Sequence, residues 1–246
     1  MTKLDYHRAD SVEDAVRERG ASASHMYLAG GQTLLNLIKT HAVSAEMLID
    51  ISRLGLNKIS RKGDVLSIGA GATHTQISQD PAVLEHLPAL ARLAACIGDN
   101  AVRNRGTLGG AVANNDPSGD YPAALLALGA RIETTAGTTD SHRFFGQGPT
   151  GDLILAVHIP LPERAAFARI QHQASRSCLV GVFVAEREGK RRFVASGCFA
   201  DGAKEIDIQT PIDDLSAVLD DSFGSAKYRA HLVHVLAKRA LLELES

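Results

Sequence analysis

Tryptophan is absent from this chain of 246 residues, and aromatic residues make up only 4% of it. Glycine, by contrast, occurs 22 times, so the composition points to close backbone approach, either between elements or to a ligand. The three cysteines, Cys96, Cys178 and Cys198, are widely separated and form no C-x-x-C pair. They offer no disulfide framework, and too few thiolates for a zinc ribbon or an iron–sulfur cluster in this chain. A formal net charge of −2 leaves no basic surplus, which argues against nucleic acid or an acidic membrane as the main partner. The longest smooth apolar run, Ala123 to Leu128, is far short of the roughly 20 residues that span a bilayer. The first ten residues lack an apolar h-region, so no signal peptide is expected and the protein reads as cytoplasmic.

What is present is an ordinary globular composition, 45% hydrophobic, on a chain long enough for one large or two small domains. Asp10-Ser11-Val12-Glu13 resembles a capping box and Gly20 fits a helix stop, predicting a helix over Ser11–Arg19. Met26–Ala29 and Met47–Ile51 read as strands flanking a helix that starts near Thr33, with Gly30-Gly31 marking the turn between. Val65–Ala70 alternates like a strand, and Pro81 opens a predicted helix running to about Cys96. Residues 98–119 are rich in Gly, Asn and Asp; a helix is predicted from Tyr121 to Leu128, then strands near Arg131–Thr134 and Asp152–Ile159. Pro160 and Pro162 mark a boundary. Beyond it come strands at Phe167–Ala174, Val180–Arg187 and Arg191–Phe199, with a turn at Glu188-Gly189-Lys190, and a last helix over Ser225–Glu245. That helix carries an apolar stripe that faces either the core or a partner chain. No internal repeat or low-complexity tract is visible.

Two glycine turns stand out as chemistry. Leu28-Ala29-Gly30-Gly31-Gln32-Thr33-Leu34-Leu35 runs from a strand through Gly-Gly into a helix start, where backbone N–H groups and the helix dipole suit a phosphate. The same pattern also fits a simple tight turn, and it is neither a Walker A loop nor a G-x-G-x-x-G fingerprint. Gly69–His74 fails that fingerprint too. The second turn, Thr107-Leu108-Gly109-Gly110-Ala111, follows Arg103-Asn104-Arg105-Gly106 and leads to Asp120, whose carboxylate could cap a helix or accept from sugar hydroxyls. The two turns could grip one diphosphate from both sides; their spacing alone does not bring them together. Arg103-Asn104-Arg105 is a candidate docking or cofactor contact, or a solvated turn. Ten histidines include no H-E-x-x-H, and His231 and His234 are expected on a helix surface, so no metal site is read.

The order Ala29-Gly30-Gly31-Gln32-Thr33-Leu34, Ile68-Gly69-Ala70, Thr73-His74, Ile97-Gly98-Asp99, Val102 to Gly110 and Asp116-Pro117 to Ala123 resembles the FAD-binding medium subunits of molybdenum hydroxylases. That group includes the carbon monoxide, xanthine and nicotine dehydrogenase types. Gln173-Ala174-Ser175-Arg176, Val180-Gly181-Val182 and Tyr228 to Leu241 resemble the family's C-terminal domain, so the likeness covers nearly the whole chain. It implies an α+β, PCMH-type FAD-binding fold: two α/β subdomains, residues 1–54 and 55–162, then an antiparallel-sheet and helix domain, residues 163–246. It also implies FAD contacts at Leu28 to Leu35, at Thr107 to Ala111 (with Leu108, Gly109 and Gly110 between them), and at Ile97, Asp120 and Ile154. His172 takes the place where the xanthine type has a lysine, and is carried as a titratable neighbour of the cofactor. The stretches from Thr134 to Asp152 and from Gly202 to Gln209 look shortened against the family.

The function so implied is electron transfer. Substrate would be hydroxylated at molybdopterin in a large subunit, and electrons would pass through 2Fe-2S clusters of a small subunit to FAD here. From FAD they would go to an acceptor such as NAD or a quinone, in a dimer of heterotrimers. The rival readings are a standalone FAD-dependent oxidase or dehydrogenase, against which no dedicated acid/base pair is seen, and a flavin-free structural subunit.

Overall fold

The computed structural model describes residues 4–148, 150–173 and 176–246. It builds three layers. In the first, β1 (Asp5–Arg8) leads to Ser11, whose hydroxyl accepts from the Asp14 N–H and starts α1 (Val12–Ala21). The cap is thus Ser11 itself, with Asp14 in the third helical position, rather than a box closed by Glu13. The helix also runs through Gly20, which is not left-handed, and ends at Ser22. β2 (His25–Leu28), α2 (Leu34–Lys39) and β3 (Met47–Asp50) follow. The sheet order is β1-β3-β2 and both pairings are parallel, so each connection is a helical crossover. Ala9, Ala15 and Ile49 form its small core, which Leu153 of the second layer closes.

The second layer opens with the hairpin β4 (Ile59–Lys62) and β5 (Val65–Gly69). Helices α3 (His74–Gln79), α4 (Pro81–His86), α5 (Pro88–Ala95), α6 (Asn100–Arg103), α7 (Leu108–Asn114) and α8 (Asp120–Ala127) come next. The single helix expected from Pro81 to Cys96 is broken at Leu87. Pro88 has no N–H to continue the ladder, and it starts a new helix after Leu87 takes φ −148°. Leu84, expected on the apolar stripe, is therefore half exposed, while Leu87, Leu90, Leu93 and Ala94 are buried. β6 (Arg131–Thr134), β7 (Gly137–Asp140), α9 (Ser141–Gln147) and β8 (Ile154–Pro160) complete an antiparallel sheet of order β4-β5-β8-β6-β7. Every residue of α8 is buried, the pattern of a helix with apolar neighbours on all sides.

The third layer supplies one of those sides. β9 (Arg164–Gln171), β10 (Cys178–Arg187), β11 (Lys190–Ser196) and β12 (Lys204–Ile206) form an antiparallel sheet in the order β12-β11-β10-β9. The expected first strand reached Ala174; the observed one ends at Gln171, and Ala174 and Ser175 lie outside the described residues. Glu188 and Gly189, both at positive φ, make the two-residue turn between β10 and β11. β10 is apolar and buried almost throughout because both its faces are covered. Phe183 and Ala185 join the core around α8; Val182 and Val184 face the other way, onto α10 (Ala226–Glu245). The terminal stripe thus faces the core, through Leu232, Val233, Leu236, Ala237, Ala240 and Leu244, with Leu241 half-buried against it. Burying each of its leucines and its valine is worth about 1.5–3 kcal/mol. The expected divisions after residues 54 and 162 fall in the connections from β3 to β4 and from β8 to β9.

Candidate cofactor site

The two glycine turns meet. A Cβ placed on Gly30 would lie 2.0 Å from the Arg105 carbonyl oxygen and 3.0 Å from Gly106 Cα, so the first turn rests directly on the backbone that leads into the second. Gly31 takes φ +72°, and beneath it Leu28 and Leu35 pack close enough to crowd any side chain there. The composition's hint of close backbone approach is realised between elements first: Gly69 lies against the Leu56 carbonyl, Gly109 against Ala70 and Gly106 against the His74 ring.

Between the turns runs a cleft of about 600 Å³, a size suited to a cofactor. Of the expected contacts, Ala29, Gly30, Gly31, Gln32, Thr33, Leu34, Ile97, Thr107, Gly110, Ala111, Asp120 and Ile154 line it. Leu28, Leu35, Leu108, Gly109 and His172 do not. Leu28 and Leu35 support the first turn from below. The Leu108 and Gly109 N–H groups donate to the Ala72 and Ala70 carbonyls at 2.9 and 2.8 Å, and both residues are buried. These two anchor the second turn to the end of β5 and have no donor left for a ligand. His172 stands outside the cleft, edge-on to the Phe223 ring at 4.6 Å. The Arg103 guanidinium donates to the carbonyls of Ile97 and Gly98, so it staples its own loop, while Arg105 is exposed.

The first turn keeps its donors. Among the described residues no acceptor takes the N–H groups of Gly31, Gln32, Thr33 and Leu34, four in succession on the cleft wall. Such a run of N–H groups is an anion-binding concavity. In the second turn the Thr107 hydroxyl accepts from the Gly110 N–H at 3.1 Å, closing the cap of α7. Ile97, Ile154, Tyr27 and Phe144 give the cleft apolar walls, and Arg19, Asp152 and Asn114 add polar groups along it.

At the start of α8, Asp120 is buried and its Oδ2 accepts from Arg169 Nη1 at 2.5 Å, with side-chain exposures of only 5% and 7%. Burial raises the Asp120 carboxyl above its ordinary range, and Arg169 opposes that rise. The Cys178 thiol beside it is pushed well up by burial, which makes it an inert group rather than a nucleophile. The sequence reading missed Arg169. Its signal is a charge inside β9 on the same side of the strand as the buried Phe167, which lies two residues before it. Tyr27 and Phe144 were also missed, since nothing in the local sequence around either ring indicates which wall it will join.

His74 sits under the second turn, 4% exposed, its Nδ1 3.2 Å from the Tyr121 hydroxyl and its ring against Gly106. Burial pushes the imidazole down to about 4, and Arg103 pushes the same way. Between the ordinary value of 6.5 and about 4, the unfolded chain therefore binds a proton that the native chain refuses. Stability should fall as the pH drops through that window, by up to about 3 kcal/mol. His74→Gln should remove that share of the acid sensitivity. Urea unfolding of both proteins at pH 7 and pH 4 checks it, and equal losses in the two would contradict it.

Residues 2–162 match the family described as the FAD binding domain in molybdopterin dehydrogenase. The chain is 30% identical over 195 residues to the glyceraldehyde dehydrogenase medium chain of Sulfolobus acidocaldarius, covering 74% of this chain and 69% of that one. It is 28% identical to the carbon monoxide dehydrogenase medium chain of Afipia carboxidovorans, over 97% and 95% of the two. A structure of carbon monoxide dehydrogenase from Hydrogenophaga pseudoflava superposes with a TM-score of 0.88 at 25% identity, covering 98% of this chain and 97% of that one. With the two glycine turns, the cleft and these likenesses together, the chain belongs to the FAD-binding medium subunits of the molybdenum hydroxylase family.

Proposed function

We propose that this chain holds one FAD in the cleft and serves as the electron outlet of a molybdenum hydroxylase. The observation that carries the reading is the run of four unclaimed N–H groups at residues 31–34, on a cleft that Thr107, Gly110 and Ala111 also line. A run of donors of this kind suits the pyrophosphate, which carries negative charge and offers only acceptor oxygens to satisfy them. Asp120 and the polar residues along the cleft remain for hydroxyl and ring groups, and Ile97, Ile154, Tyr27 and Phe144 for apolar faces. FAD supplies the redox chemistry: it takes up and releases electrons one or two at a time. The chain's own residues bind it, orient it and keep water from part of its surface.

Electrons would arrive from 2Fe-2S clusters of a small subunit, after substrate oxidation at molybdopterin in a large subunit, and leave to NAD or a quinone. Support comes from the medium-chain relatives and from the scattered, largely inert cysteines, which leave this chain no cluster site among the described residues. A dimer of heterotrimers in the cytoplasm is the assembly the reading implies; among the described residues no helix is long and apolar enough to cross a membrane. Co-expression with neighbouring large and small chains tests the whole. A yellow complex of all three, whose flavin is bleached by the large subunit's substrate, is the expected result. A flavin that stays oxidised while the molybdenum centre turns over would overturn the electron route.

A further inference from the structure

On the face of the third sheet that meets α8, Arg169 of β9, Gly181 of β10 and Ser196 of β11 stand side by side in register. A Cβ on Gly181 would come within 2.9 Å of Ser196 Oγ, 3.1 Å of Cys178 Sγ and 3.3 Å of Asp120 Oδ1. The glycine thus makes room for the Asp120 carboxylate to sink from the cleft wall onto the sheet. There Arg169 meets it through Nη1, and its Nη2 donates to the Arg176 carbonyl at 2.8 Å, just before β10, where Arg176 and Ser177 line the cleft as a lip. Asp120 Oδ1 and Arg169 Nε are the only buried side-chain nitrogen or oxygen atoms among the described residues without a hydrogen-bond partner. The Cys178 thiol beside Oδ1 is a weak donor.

A buried ion pair is an inefficient way to hold two layers together. Apolar residues of similar volume would serve equally well, as Phe167, Phe183 and Val194 do elsewhere along the core around α8. The pair lies only at the cleft end of that contact, where both of its members line the cleft. We propose that Arg169 is a positioning residue of the flavin site, tying the Asp120 carboxylate at the start of α8 to the Arg176 lip so that the second and third layers close on the cofactor as one wall. This rests on the flavin reading above.

The titratable groups that face Asp120 are Arg169 from β9, the Cys178 thiol from β10 and the Tyr121 hydroxyl on α8; β11 brings only Ser196. Burial drives the Cys178 and Tyr121 groups upward, so neither titrates between pH 6 and 8.5. Asp120 is then the group whose protonation Arg169 controls.

The test is a double-substitution cycle read by FAD affinity, from flavin fluorescence quenching at pH 6 and 8.5. Arg169→Gln should weaken FAD binding at least tenfold. It should also make binding weaken toward pH 6 by about threefold more than in the unmutated chain, as the unopposed Asp120 carboxyl takes up its proton. Arg169→Lys, which keeps the charge, should restore the shallow pH profile. In Asp120→Asn, adding Arg169→Gln should bring little further loss and no steeper profile. Losses that simply add, or a pH profile that Arg169→Gln leaves unchanged, would overturn the assignment while leaving FAD binding intact. If Arg169→Gln does not fold, Arg169→Met, which removes the charge and keeps the volume, carries the same cycle against Asp120→Asn. A folded, unmutated chain that binds no FAD would instead sink the flavin reading, and this inference with it.

Discussion

Gly30→Ala should strip the chain of its flavin. The added methyl would lie 2.0 Å from the Arg105 carbonyl oxygen and 2.6 Å from its carbon, both backbone atoms of the facing turn. No rotamer change relieves that overlap, so the turns must part, and with them the four N–H groups at residues 31–34 and the Thr107–Ala111 wall opposite. Overpacking of this kind destabilises by about 1–3 kcal/mol. If the strain is released as the cleft opens, FAD affinity should fall by about 5- to 150-fold. Gly20→Ala is the matched control. Gly20 lies inside α1 with nothing within 4 Å of its would-be Cβ, so the same methyl should stabilise by about 0.5–1 kcal/mol and leave FAD binding unchanged. Isothermal titration of both variants with FAD separates the effects. Equal affinity in Gly30→Ala and the unmutated chain would show that the abutting turns do not form the cofactor cradle.

Arg229→Met should produce the largest loss of folding stability. Arg229 is 2% exposed near the start of α10, and its guanidinium donates to the Leu179 carbonyl at 2.7 Å and the Gly197 carbonyl at 2.6 Å. It also forks onto both oxygens of Asp221 at 2.8 Å. Burial raises the Asp221 carboxyl, but Arg229 and the N–H groups of Phe223 and Gly224 outweigh it and hold the group below its ordinary value. Methionine fills the space and leaves two buried carbonyls without a donor, a change of about 3–5 kcal/mol. The consequence reaches the cleft, because Gly197 also donates to Pro117 in the loop that delivers Asp120. A fall in thermal midpoint of several degrees is expected in the cofactor-free chain as well as in the loaded one. An unchanged midpoint would mean that α10 is held to the sheet by its apolar stripe alone.

Local signals located the longer elements well and the shorter ones poorly. The stripe of α10, the apolar run of β10 and the Glu188-Gly189 turn each depend on neighbours in sequence, and each was legible. β1, β4, β7 and β12 have only three or four residues apiece, too few for an apolar pattern to show, and β1 in addition pairs with β3 rather than with a neighbour in sequence. Pro88 did carry a signal, a proline inside a helical pattern, but the leucine spacing on either side masked it. At the site, the motifs named the right stretches without distinguishing wall from support. Leu108 and Gly109 belong to the second turn as surely as Gly110, yet their N–H groups point to Ala70 and Ala72. That distinction needs the fold of β5 and α3 to be known. Arg169 and Gly181 were beyond local reading for the same reason, since their meaning is a cross-strand register that also faces a helix fifty residues earlier.

The central claim, that this chain cradles a flavin dinucleotide by its pyrophosphate, is tested most directly by titrating the folded, cofactor-free chain with FAD and with riboflavin. The account predicts saturable quenching of flavin fluorescence at one FAD per chain, and at least a hundredfold weaker binding of riboflavin, which has no phosphate for the N–H groups of residues 31–34. Equal affinity for the two, or a folded chain that binds neither, would contradict it.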